Sequence, residues 1–541
     1  MSNTVASLTV EMLIANGIDT LYCVPGVQND QFFDALYQRQ DKLHALQARH
    51  EQGAVYMALG AALATGKPQA FSVVPGPGFL NGTAALCTAQ SLNAPLFGVV
   101  GQIPSGAVGK GLGLLHEIND QLGIMQRLTK QSAGIVAAAH VSQALIDLWQ
   151  QMISGKHGPV CAEIPVDMWS QQVGAATNIS VTPLPKPEAD LAQVQRAAEL
   201  INKAKRPLIV VGSGAQDSAT QIGELAEKIH AGVIAGRTGH GILPSDSVLS
   251  LTNPAGHRLW SECDLVLGLG TRLFNQKKVW GTDSDLAVVH IDIDREVLNR
   301  VSEPTVGIHA DLSDVLPRLL TNVAERTDDV NWGGRIVEVR DVVATEISEK
   351  LQPQLEWLTA IREVLPTNGI FVDELTQIGF VARFAFPSYR PRTFLSTGYQ
   401  GTLGWGIASA MGAAHARRDV PVLSIAGDGG ALFTIAELAT AIHHNIPLNV
   451  IIMNDNAYGN VRGIQRDEYG ERYIASDLTS PDFVALAKSF GVSAERAETP
   501  QALKQCLQRA IDHSGPNLIE VPVSEFPSPW EFIQLPAVRG I

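Results

Sequence analysis

Residues 421–460 read PVLSIAGDGGALFTIAELATAIHHNIPLNVIIMNDNAYGN, and this stretch decides the fold. Two apolar runs, PVLSIAG and NVIIMN, each stop in small or polar residues, with a helix-length segment between them. Short apolar runs that alternate with helical patterns predict parallel strands joined by crossover helices. The first strand ends at Gly427-Asp428-Gly429-Gly430, with a helix expected to start at once. Its free N–H groups and the close backbone approach allowed by glycine suit a phosphate. Asp428 would repel that phosphate unless a divalent cation lay between. The returning strand brings Asn454, Asp455 and Asn456 to the same sheet edge. Such residues make turns by default, but opposite Asp428 they also offer oxygen ligands for Mg2+.

The same alternation extends over all 541 residues, a length that calls for about three domains. Strand candidates in the first block are TLYCVPG, AFSVVPG, LFGVVGQ and PVCAEIP. The second block has RPLIVVGSG, CDLVLGLGTRL and LAVVHIDID, and the third GIFVDEL, RTFLSTGYQG, PVLSIAGDGG, NVIIMND and PNLIEVPVS. A polar, Pro-containing linker (GAATNISVTPLPKPEAD) and a hydrophilic stretch near 321–356 separate them. The expected fold is α/β, three doubly wound parallel-sheet domains at 1–173, 188–322 and 357–541. Ligands in such sheets bind beyond the carboxyl ends of the strands.

A net charge of −14 and the lack of a Lys/Arg-rich run argue against nucleic acid or an anionic membrane as partner. Five scattered cysteines without a CxxC pair argue against a disulfide framework or a zinc site. The opening MSNTVASLTVEMLIANG reads as an amphipathic helix rather than a signal peptide, and no apolar run is long enough to span a membrane. A cytoplasmic location is expected.

GDG followed some two dozen residues later by the Asn/Asp cluster resembles the thiamine-diphosphate-binding motif. Elsewhere the chain supplies His50-Glu51-Gln52, then Gly76-Pro77-Gly78 with Asn81, and Gly401 before Leu403 in STGYQGTLGWG. These segments, in this order, resemble the thiamine-diphosphate-dependent enzymes of the acetolactate synthase and benzoylformate decarboxylase group. The resemblance implies a first domain that binds the cofactor's pyrimidine, a central domain, and a third that binds the diphosphate. It implies Glu51 as the carboxyl that hydrogen-bonds the aminopyrimidine, Gly401 as a backbone acceptor, and Leu403 as the wedge beneath the folded cofactor. Asp428, Asp455 and the Ala457 carbonyl become the expected Mg2+ ligands. Gly427, Gly429, Gly430, Tyr458 and Gly459 lie near the diphosphate, and Asn81 follows the GPG turn. Members build this site from two subunits, so a homodimer is implied, with a homotetramer as the larger assembly.

Which member is less legible. The position of a benzoylformate-decarboxylase histidine is Val74, and the His-His pair of pyruvate decarboxylases is replaced by His116-Glu117. Gln28, in the loop VPGVQNDQ, and His116 are the polar groups expected near substrate. Few acids and bases fit a carboligase, in which an acyl carbanion from a 2-oxo acid attacks a carbonyl acceptor. A non-ligating 2-oxo acid decarboxylase is the alternative. Ile464 stands where anabolic acetolactate synthases carry a selecting Trp, and TRLFNQKKVWG keeps Arg272 of their middle-domain motif, with Lys277 and Lys278 as partial substitutes. The turn VVGSGAQDS has G-x-G without a third glycine, so FAD is possible but not favoured. A dehydrogenase would need that third glycine, and a binding-only protein would not need Glu51 with the metal cluster.

Overall fold

The computed structural model describes residues 3–174, 179–327 and 331–540. Three six-stranded sheets form, and every described strand pair within them is parallel. The first comprises β1 (Thr20–Cys23), β2 (His44–Gln47), β3 (Gln69–Val73), β4 (Leu96–Gln102), β5 (Gln131–Gly134) and β6 (Val160–Pro165), in the order β2-β1-β3-β4-β6-β5. The second comprises β7 (Pro207–Val211), β8 (Gly232–Ala235), β9 (Ser250–Leu251), β10 (Leu265–Leu269), β11 (Ala287–Asp292) and β12 (Val306–His309), in the order β12-β11-β10-β7-β8-β9. The third comprises β13 (Ile370–Val372), β14 (Phe394–Leu395), β15 (Val422–Gly427), β16 (Leu448–Asn454), β17 (Ser493–Arg496) and β18 (Asn517–Pro522). The run β15-β16-β18-β17 carries the candidate site.

Contacts divide the chain into two compact units. One holds Met1–Pro185, Thr397–Ala497 and Cys506–Pro522, and the other Lys186–Ser396, Glu498–Gln505 and Val523–Ile541. In the first unit the helices Glu51–Thr65 and Trp405–Ala416 pack backbone to backbone. A Cβ on Gly60 would overlap the Ser409 carbonyl, and one on Gly412 the Met57 carbonyl, so only glycine permits this approach. Both helices are buried almost throughout, which their continuous Ala/Gly/Met/Leu runs require. In the second unit, Trp260 and Trp332 are buried, and the Trp332 indole donates to the Pro207 carbonyl at 2.9 Å.

Several expectations are corrected. The helix after Asp428 is only Asp428–Ala431; a break at Leu432–Thr434 precedes the helix Leu438–His443. Two glycines in the first turn make a longer helix costly there. The hydrophilic stretch near 321–356 contains a long helix, Trp332–Lys350, with Ile336, Val339, Val343 and Ile347 as its buried stripe. β2, β5, β9, β12 and β17 are strands without a strong apolar signature, and the short buried strand β8 (GVIA) also lies outside the expected set. Within the expected linker, residues 175–178 lie outside the described residues, and Val181 donates to Asn16 Oδ1 at 2.7 Å. The N-terminal helix forms at Val5–Ala15. Among the described residues no helix is long and apolar enough to cross a membrane.

Candidate active site

β15 and β16 pair up to Gly427 opposite Met453, so Asp428 and the Asn454–Asn456 cluster emerge at one edge. Asp428 is 1% exposed, and its Oδ2 accepts from Ser480 Oγ at 2.6 Å. Asn454 shapes the loop: its Oδ1 accepts from the Asn456 N–H (3.3 Å), while its Nδ2 donates to Glu520 Oε1 (2.9 Å). Asn456 turns the chain in the left-handed region, φ 55°, a conformation Asn tolerates. Asp455 is half-buried and its Oδ1 accepts from the Ala457 N–H (3.2 Å). Ala457 faces Asp477 across an antiparallel bridge made by Tyr458 N–H to Ser476 O (2.8 Å) and Leu478 N–H to Asn456 O (2.7 Å). That pattern leaves the Ala457 carbonyl out of the ladder.

The glycines line a cradle. A Cβ on Gly429 would lie 2.7 Å from the Tyr458 ring and 2.9 Å from Leu478, and one on Gly459 would lie 2.7 Å from Asp455 Oδ2. Gly427 ends β15 and Gly430 lies buried one turn on. A cavity of about 370 Å³ opens here, lined by Gly429, Leu432, Phe433, Tyr458, Leu478 and Ser480 among others. Among the described residues no group of three or more His, Cys, Asp or Glu side chains converges on a metal position. Two carboxylates and a carbonyl are oxygen donors only, a set that suits Mg2+ when phosphate oxygens complete it.

In the first domain, Glu51 opens the helix Glu51–Thr65, and the N-cap His50 accepts from the Gln52 N–H through Nδ1 (3.2 Å). Asn81 Nδ2 donates to Glu51 Oε2 at 2.9 Å, while Oε1 faces Gly78, where a Cβ would lie 3.2 Å away. Behind this helix start sits Glu437, 1% exposed, which the sequence did not point to. Its carboxyl accepts from the N–H groups of Arg49 (3.1 Å) and His50 (3.0 Å) and from Thr440 Oγ1 (2.6 Å). Burial raises the Glu437 carboxyl above its ordinary value, and these hydrogen bonds offset part of the rise. A Glu inside an apolar helical pattern was its only signal.

Gln28 and His116 come together. Gln28 Nε2 donates to the Leu115 carbonyl (3.1 Å), and Gln28 Oε1 lies 3.0 Å from His116 Nδ1. With its amide already donating, Gln28 presents an acceptor, so Nδ1 carries the proton and Nε2 the lone pair. The Trp169 indole fixes the Gln28 carbonyl (2.8 Å), and His116 takes φ 69°. Val74 is buried, with methyls against Gly26 and Gly78. Gly401 (φ 59°) and half-buried Leu403 flank Thr402, whose hydroxyl meets that of Thr88 at 2.9 Å. Ile464 is exposed on the helix Gly459–Asp467.

In the middle domain the glycine turn is used internally. The Gly212 N–H donates to the Leu269 carbonyl (3.3 Å) and the Gly214 N–H to the Gly270 carbonyl (3.1 Å). Lys277 is buried and donates to the Ser302 carbonyl.

Family profiles agree with this geometry. Residues 3–139 match the thiamine pyrophosphate enzyme N-terminal TPP binding domain, 194–319 the central domain, and 375–521 the C-terminal TPP binding domain. The chain is 30% identical to the acetolactate synthase isozyme 1 large subunit of Escherichia coli over 96% of its length and 93% of that protein's. It is 31% identical to an acetolactate synthase large subunit of Parasynechococcus marenigrum, covering 96% and 87%. It is also 29% identical to a probable 2-ketoarginine decarboxylase of Pseudomonas aeruginosa, covering 96% and 94%.

Proposed function

This chain belongs to the thiamine pyrophosphate enzymes, and from that premise we propose that it decarboxylates a 2-oxo acid and ligates the acyl unit to a carbonyl acceptor. Thiamine diphosphate, when bound, supplies an acidic thiazolium carbon that adds to a ketone and stores the electron pair left by decarboxylation. The observation that carries the reading is the edge of β15 and β16. There Asp428, Asp455 and the Ala457 carbonyl would hold Mg2+, over a cradle that Cβ atoms on Gly429 and Gly459 would fill. Tyr458 borders the same cradle, and the backbone of Gly427 and Gly430 would approach the diphosphate from the end of β15.

Glu51 holds and releases a proton at Oε1, the oxygen left over when Oε2 is taken by Asn81. The Gly401 carbonyl and the Leu403 side chain would hold the cofactor rings. Gln28 fixes the His116 ring, whose Nε2 then faces substrate as an acceptor. With Gln28 non-ionisable and His116 Nε2 offered as an acceptor, neither side chain forces protonation of the new carbon centre, so a second carbonyl can compete for it; pyruvate as both donor and acceptor is the first choice. A second reading, simple decarboxylation, draws on the same pair: a protonated His116 is a proton donor, and one relative is named for decarboxylating 2-ketoarginine.

Assembly as a homodimer, or a dimer of dimers, completes the proposal. Glu51 is half-buried within one chain. Large apolar side chains, Val27, Leu80 and Leu115 in the first domain and Leu432, Phe433 and Val461 in the third, are exposed around the candidate site. Such exposure is the mark of a surface that another chain covers. The test is a product screen by mass spectrometry with pyruvate, benzoylformate, glyoxylate and 2-ketoarginine, with and without thiamine diphosphate and Mg2+. A ligated product is expected; only free aldehyde supports the second reading, and no turnover removes both.

A further inference from the structure

Gln121 opens the helix Gln121–Leu128 and is 1% exposed. Its carboxamide is used on both sides. Oε1 accepts from the Gly76 N–H at 2.7 Å, while Nε2 donates to the Gly101 carbonyl (3.0 Å) and to Glu163 Oε1 on β6 (2.9 Å). Gln102, at the end of β4, donates to the same Glu163 oxygen at 2.9 Å, and its own oxygen accepts from the Ile103 N–H. Burial lifts the Glu163 carboxyl above its ordinary value; the two amides oppose the rise and Asp120 adds to it. The turn after β3, the end of β4 and the side chain of Glu163 on β6 therefore meet at one side chain.

Gly76, the residue this side chain holds, has φ 58° and ψ −117°, a region that L side chains avoid. A Cβ there would overlap the His116 carbonyl. On the other side, Gly76 caps the helix Pro77–Ser91, which carries Asn81 and through it Glu51. The turn thus stands between the two pairs of the candidate site.

We propose that Gln121, braced by Glu163, is a positioning residue that locks the Gly76 turn and so fixes the Glu51–Asn81 and Gln28–His116 pairs relative to each other. A neutral carboxamide is the side chain that can accept from Gly76 while donating to Gly101 and Glu163. The activity consequence rests on the functional reading above; the geometric consequence does not. Misplacement by about 1 Å costs about 100-fold in rate, and unequal displacement of the two pairs alters which product forms.

The test uses Gln121→Met, which keeps the volume and loses both hydrogen-bonding roles, with Gln121→Asn, too short to reach Gly76, as second variant. One readout is the ratio of ligated product to free aldehyde, which does not depend on the fraction of protein folded. The other is the rate at which diethyl pyrocarbonate modifies His116 in cofactor-free protein, read by peptide mass spectrometry against the exposed His513. Both variants are expected to change the ratio and the His116 rate by about threefold or more, with His513 unaffected. Glu163→Gln, which keeps the oxygen that accepts from Gln102 and Gln121, retains wild-type behaviour in both. Wild-type ratio and wild-type His116 rate in either Gln121 variant overturn the proposal. A wild-type protein inert toward every 2-oxo acid overturns the functional reading alone, and the His116 rate then decides this one.

Discussion

Replacing Glu437 by Ala takes away the acceptor for the Arg49 and His50 N–H groups and for the Thr440 hydroxyl. Each buried donor left unpaired costs about 1–3 kcal/mol. The two backbone amides cannot turn elsewhere, whereas Thr440 can rotate, so the loss centres on about 2–6 kcal/mol. Glu437→Gln keeps one carbonyl oxygen for these amides and should cost roughly 1 kcal/mol. The two variants also differ from wild type in pH dependence. Because burial holds the Glu437 carboxyl high, the unfolded chain ionises first as pH rises. This group's contribution is therefore fully present below the ordinary Glu value and is lost as pH climbs through the folded-state value. Urea unfolding followed by circular dichroism, between about pH 5 and pH 8, reads both effects as a shift in midpoint. Glu437→Gln should flatten the decline with pH while lowering the midpoint only slightly. An unchanged slope in Glu437→Gln, or an Ala variant as stable as wild type, refutes the reasoning.

Gly60→Ala places a methyl on the Ser409 carbonyl and pushes the Glu51 helix off its partner. Overpacking of this kind costs about 1–3 kcal/mol, so calorimetry should show a lower thermal midpoint together with lost activity, and no change in either contradicts the packing argument. Glu51→Gln should leave thiamine diphosphate affinity within about threefold by titration calorimetry and lower turnover by about 100-fold or more; full turnover excludes Glu51 as the proton-handling group. Asp455→Asn removes one of two carboxylates from the metal position. It should weaken Mg2+ retention by up to about tenfold at low ionic strength, read as the Mg2+ concentration giving half-maximal activity, and an unchanged requirement shows the extra charge to be incidental.

The central strands were legible because burial on both faces leaves them as unbroken apolar runs: PLIVV, LVLGL and LNVIIMN became β7, β10 and β16. Most edge strands were not, because one exposed flank admits polar residues: β2 is HALQ with both His44 and Ala45 exposed, whereas the edge strand β14 is the buried pair Phe394–Leu395 and did carry an apolar signal. The shared edge of Gly427–Gly430 and Asn454–Ala457 was legible because both clusters close apolar strands of one βαβ unit. The site was not legible where partners are distant in the chain. Ser480 on Asp428, Glu437 on the Arg49 and His50 amides, and Gln121 on Gly76 are side-chain contacts that no local pattern encodes. His116 lay between: its type marked it, and only the Gln28 contact gives it a defined tautomer.

The central claim is tested most directly by the balance between CO2 released and pyruvate consumed when purified protein is supplied with thiamine diphosphate and Mg2+. Turnover that needs both additions, with two pyruvates consumed per CO2 and the acyl unit recovered in a ligated hydroxy-oxo acid, is the result predicted. One pyruvate per CO2 with free acetaldehyde contradicts ligation, and CO2 release that persists without thiamine diphosphate contradicts the account as a whole.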